Sequence, residues 1–89
     1  MEEHLRQLCQ RNGIDTQVQT ATEVRPKKAD RLNADLATAD VYSKLDQKAV
    51  TMWLDLRNKA AHGHYGEYNS EQVRAMISAA TEFMARVAV

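Results

Sequence analysis

Apolar positions recur along the chain at helical spacing in four stretches. Leu5, Leu8 and Cys9 share one face of a short segment from Glu2 to Arg11, which Asn12-Gly13 closes with residues typical of a helix C-terminus. Ala29, Leu32 and Leu36, with Ala39 or Val41, mark a second helix over Lys27 to Ala39, and Pro26 fits its first helical position. Ala49, Val50, Trp53, Leu54, Leu56, Ala60 and Ala61 give a third helix, Asp46 to about His62, an apolar surface wider than one stripe. This breadth predicts burial on more than one side, with Trp53 in the core or at a subunit interface. The last helix runs from about Ser70 to Ala88, with Val73, Met76, Ile77, Ala80, Phe83, Met84 and Val87 on its core face. Asn69 and Gln72, three apart, form a capping-box pattern at its start.

Between these segments the pattern is weaker. Ile14 to Arg25 is rich in Thr and Gln and reads as an extended connection draped over the bundle, a two-stranded ribbon being the alternative. Tyr42-Ser43 and Gly63 to Tyr68 read as turns. The expected fold is all-α: one domain over 1–89, a small up-and-down bundle of about four helices with a short first one. Eighty-nine residues bury little surface on their own, so completion of the core by dimerisation is expected.

Charge and cysteine content narrow the function. Twelve basic residues balance twelve acidic ones, which argues against a non-specific nucleic-acid coat and leaves room for a local basic patch. No apolar run reaches the ~18 residues of a membrane span. Met1-Glu2-Glu3-His4 is not a signal-peptide start, and the single Cys9, read as a small buried apolar residue, fits a reducing cytoplasm.

The chemistry concentrates in Arg57-Asn58-Lys59-Ala60-Ala61-His62-Gly63. Seven arginines and three histidines make an isolated Arg-x4-His spacing common in such a chain, so its weight comes from its place. The Arg is expected deep in the most buried helix, and the His at a helix end that Gly63 can fray. On a regular helix the two lie about 140° apart, so they converge only if the last turn loosens. Arg57 suits a phosphate; the alternative is an ion pair with Asp55, Asp46 or a neighbouring helix. His62 is a candidate acid or base because imidazole titrates near neutrality, and otherwise caps the helix. His64 and Tyr65 extend the groove, Tyr65 and Tyr68 by edge packing or base stacking. The Arg25, Lys27, Lys28, Arg31 cluster is either a solvated face or an RNA contact. His62-x-His64 with Glu67 offers too few ligands for zinc, so no metal and no cofactor are expected.

With these residues in view, Leu56 to Gly63 and the helix after it resemble the HEPN superfamily, the higher eukaryotes and prokaryotes nucleotide-binding domains. The resemblance covers roughly Lys27 to Val89. It implies a bundle of about four helices, dimerised so that two motifs face each other across a groove. It also implies metal-independent endoribonuclease activity, often in toxin–antitoxin or antiviral systems. On this likeness Arg57, Asn58 and His62 occupy the catalytic positions, with Lys59, His64, Tyr65, Lys28 and Arg31 as candidate RNA contacts. A cognate antitoxin or nucleotidyltransferase is an implied partner beside the second copy. Some members carry, two residues after the His, a Tyr that a nucleotidyltransferase modifies with AMP; here that position is His64. The reading from another class is a non-catalytic helical module for dimerisation or partner binding.

Overall fold

The computed structural model describes residues 1–63, 66 and 68–89. Four helices carry the fold, α1 (Glu2–Arg11), α2 (Ala29–Thr38), α3 (Lys44–Ala61) and α4 (Ser70–Arg86), with a hairpin of β1 (Gln17–Gln19) and β2 (Val24–Pro26) between the first two. The all-α class holds, with the hairpin as a small addition.

Each helix end has a local cause. At the end of α1 the Ile14 N–H reaches the Cys9 carbonyl at 2.8 Å and that of Gly13 reaches Gln10, with Gly13 at φ 70°. This left-handed exit satisfies carbonyls that the helix leaves open, and glycine adopts it without Cβ strain. Ser43 caps α3 through its hydroxyl and starts the helix two residues before Asp46. Asn69 and Gln72 form the reciprocal capping box expected for α4, which ends at Arg86, short of Ala88.

The second helix starts later than Pro26 suggests. Pro26 closes β2 opposite Gln17, and α2 begins at Ala29 with Lys28 as its N-cap. Both strands of a two-stranded ribbon are edges, where a missing N–H is tolerated, so the same proline fits a strand end as well as a helix start. The ribbon alternative is the one realised over 17–26. Arg6 of α1 fastens the hairpin base by donating to the Thr16 and Lys27 carbonyls at 3.3 and 3.0 Å.

The core joins Leu5, Leu8 and Cys9 of α1 to Leu32 and Leu36 of α2 and Val50 and Leu54 of α3. The short first helix therefore packs on its own chain. Phe83 closes the core from α4, edge-on to Tyr42 at 5.3 Å and Trp53 at 5.6 Å. One polar group lies inside. The Asn33 amide donates to the Gln47 carbonyl at 3.0 Å and the Thr51 hydroxyl at 3.1 Å, and accepts from Tyr42 at 2.5 Å. Its donors and acceptor are thus satisfied, as burial requires. Burial, and then the nearby Cys9 and Asp46, push the Tyr42 phenol well above its ordinary value, so it remains a donor.

Phe83 is the one fully buried residue of α4. Below it Arg86 grips Asp46 with two nitrogens, at 2.8 and 3.3 Å, and His4 Nε2 donates to the Val87 carbonyl at 2.7 Å. The first half of α4 has no such anchors, and Ile77 is exposed although helical spacing puts it on the core face. No described helix is long and apolar enough to cross a membrane.

Candidate functional site

Arg57 lies one turn from the end of α3, and its surroundings differ from those its sequence context predicts. It is exposed, whereas burial in an over-apolar helix was expected. The reason is tertiary. Val50, Trp53 and Leu54 are the residues of α3 that reach the core, and beyond them Ala60 and Ala61 are open to solvent. The bundle narrows before the helix ends.

The expected ion-pair partners are engaged elsewhere. Asp46 holds Arg86 at 2.8 Å, and Asp55 holds Lys59 at 3.2 Å. Among the described residues no carboxylate is within ion-pair reach of Arg57. Its guanidinium carries five donors.

Arg57 and Asn58 line a cleft of about 170 Å³ with Lys28, Ala29, Asp30, Leu54 and Glu2. The first turn of α2 forms one wall, and Lys28 is the exposed residue that caps it. Open N–H groups of a helix start carry partial positive charge. They stand beside Lys28 and Arg57, with the Asn58 amide able to donate or accept. Glu2 and Asp30 temper this field from the rim, and Glu2 is itself 3.8 Å from Arg6. Lys28 and Arg57 bring two positive charges to the cleft, and Glu2 and Asp30 two negative ones.

Other sequence candidates are not brought there. Arg31 points to Asp35, at 3.3 Å, and Lys27 holds the same carboxylate at 2.6 Å. Burial would raise the Asp35 pKa, but the bonds and charges of Lys27 and Arg31 outweigh it and hold it below the usual carboxylate range. Lys59, paired with Asp55, borders a different, apolar groove between α3 and α4. His62 is exposed and is the C-cap of α3, with its N–H on the Asn58 carbonyl at 3.0 Å. Gly63 follows at φ 74°, the loosened exit its identity predicts. His62 does not line the Arg57 cleft, so one protomer does not place the imidazole opposite the guanidinium. His64 and Tyr65 lie outside the described residues. Among the described residues no three His, Cys, Asp or Glu side chains are grouped to hold a metal ion.

Glu2 and Asp30 are cleft residues that sequence reasoning missed. Glu2 is separated from Arg57 by most of the chain, and no spacing rule connects them. Asp30 was within reach of inference, since it shares the first turn of α2 with Lys28.

No protein-family model, curated protein or solved structure matches the chain.

Proposed function

We propose that this chain is a HEPN-like RNA-binding domain that grips a backbone phosphate in the cleft of Arg57, Asn58 and Lys28. The observation that supports this reading is the exposed Arg57, without an ion-pair partner among the described residues, beside Lys28 at the start of α2. An arginine without a carboxylate keeps its full fork for a phosphate, and phosphate contacts supply most of the affinity of such sites.

Endoribonuclease chemistry requires one step more. His62 of a second copy must reach the cleft, so that imidazole moves the proton of a 2′-hydroxyl while Arg57 meets the charge growing on phosphorus oxygen. The 2′-hydroxyl would confine cleavage to RNA. A toxin or defence role, with a cognate antitoxin, belongs to this catalytic form of the proposal.

Binding of a single-stranded RNA oligonucleotide tests the reading, followed against salt for the parent protein, Arg57→Ala and Lys59→Ala. Arg57→Ala is expected to weaken binding about tenfold and lower the salt slope by roughly one, the share of one phosphate contact. Lys59→Ala is expected to change little. Equal affinity of parent and Arg57→Ala would overturn the proposal. The same RNA incubated in chelator with parent and His62→Ala tests cleavage, and equal cleavage by the two would exclude His62 as its acid or base.

A further inference from the structure

The outer face of α3 carries an apolar seam that the fold covers only in part: Ala49 packs against the core and Leu56 is half-buried, while Leu45 and Met52 are exposed. Leu45, Ala49, Met52 and Leu56 follow one another at steps of four, three and four residues, the spacing of a helix that packs against another along its length. Leu45 is 77% exposed and Met52 62%, although neighbouring Val50 and Trp53 are buried. Met52 stands as a ridge between two grooves of about 380 Å³ each. One lies towards α4, where Leu56, Met76 and Ala79 line it; the other is lined by Lys48, Thr51 and Asp55.

We propose that the occupant of this seam is α3 of a second copy, laid antiparallel about a two-fold axis between Val50 and Thr51. The register follows from the residues. It sets Leu45 against Leu56 of the second copy and Ala49 against Met52, a small residue facing a large one in each central layer. The same register carries charge complementarity. Lys48 and Asp55, both exposed and both lining the groove they share with Thr51, come opposite each other twice, once in each direction across the axis. A parallel pairing gives no such match, because Lys48 then faces the Trp53 side of its neighbour. Asp55 already approaches Lys59 of its own chain at 3.2 Å, which leaves a second oxygen for the facing lysine.

This surface goes beyond the phosphate-binding reading and does not depend on it. At 1.5 Å per residue, the two Arg57 positions lie about 20 Å apart along the paired helices and the two His62 positions about 35 Å apart. The seam dimer therefore presents two separate clefts at opposite ends. It is not the composite arrangement that cleavage needs.

The test is a charge-exchange series read by sedimentation equilibrium on the full chain. The parent protein is expected to sediment as twice the mass of one chain at micromolar to millimolar concentration. Lys48→Asp and Asp55→Lys are each expected to weaken the dimer about tenfold or more, since each replaces two attractions by two repulsions. The double variant Lys48→Asp, Asp55→Lys is expected to return dissociation to near the parent value, which a misfolded variant would not do. Met52→Glu, on an exposed ridge, is expected to give monomer with unchanged helical circular dichroism. A parent protein that remains monomeric throughout, or a dimer indifferent to the single reversals, would overturn the proposal. RNA affinity of the same variants is read separately, so loss of the seam and loss of the phosphate site are distinguishable.

Discussion

The two ends of α3 are packed in opposite ways. At the end near Ser43, residues of α1, α2 and α4 converge: Tyr42 seals against Asn33 and Phe83, Arg86 holds Asp46, and the core cluster surrounds Val50. At the other end Arg57, Asn58, Ala60 and His62 face solvent, and the first half of α4 contributes no fully buried residue. Cohesion is concentrated at one end and the exposed polar side chains lie at the other. Substitutions should therefore separate into those that move stability and those that move ligand binding.

The largest effect is expected at Phe83, the one deep anchor of α4. Phe83→Ala empties the ring site against Tyr42 and Trp53 and is expected to cost about 3–5 kcal/mol in denaturant unfolding. A loss under about 1 kcal/mol would mean that α4 is held chiefly by its open half, reversing the contrast.

Asn33→Ala comes next. It removes the short acceptor of the buried Tyr42 hydroxyl and leaves that hydroxyl only the Asn33 carbonyl at 3.4 Å, with an expected loss of about 1–3 kcal/mol by the same measurement. Asn69→Ala removes the capping box at the open end, where about 1 kcal/mol is expected. Its signature is local: amide exchange should quicken in the first turns of α4 and leave α1 and α2 unchanged.

A smaller effect is confined to acid. The Arg86 bond, aided by Ser43, holds the Asp46 carboxyl below its ordinary value of 3.8. As pH falls, the unfolded chain takes up this proton first. The contribution is therefore whole above the unfolded pKa and fades as pH drops through the folded one. Parent and Asp46→Asn should differ by a constant amount above about pH 5 and converge towards about pH 2. A gap that widened in acid would contradict the assignment. Smallest of all for stability is Arg57→Ala, expected within about 0.5 kcal/mol because the side chain is exposed and has no ion pair among the described residues.

How far the sequence led depends on what each feature rests on. The first helix, the capping box at Asn69 and Gln72 and the exit at Gly63 are local, and local spacing carried them. Pro26 misled because one fixed φ serves a strand edge and a helix start alike, and the choice is made by Arg6 reaching in from α1. Burial of Arg57 was misjudged for a tertiary reason. An apolar helix predicts a covering partner, but past Val50, Trp53 and Leu54 the described residues leave the end of α3 open, so Ala60 and Ala61 stay exposed beside Arg57. In the cleft, Lys28 was legible as one of a basic cluster, while its meeting with Arg57 depends on how α2 crosses α3. Asn33 gave no signal at all, since a single Asn in a helix pattern looks like an outward-facing residue.

The central claim is that the open end of α3 forms a phosphate site with the start of α2. The most direct measurement is nuclear magnetic resonance of isotope-labelled protein titrated with a short single-stranded RNA. The expected result is a set of shifts centred on the amides of Lys28, Ala29, Arg57 and Asn58, with the Arg57 guanidinium moving alongside and the signals of Leu5, Leu32 and Leu36 unmoved. Shifts centred on the hairpin or the Leu45–Met52 face, with Lys28 and Arg57 unmoved at saturating RNA, would contradict it.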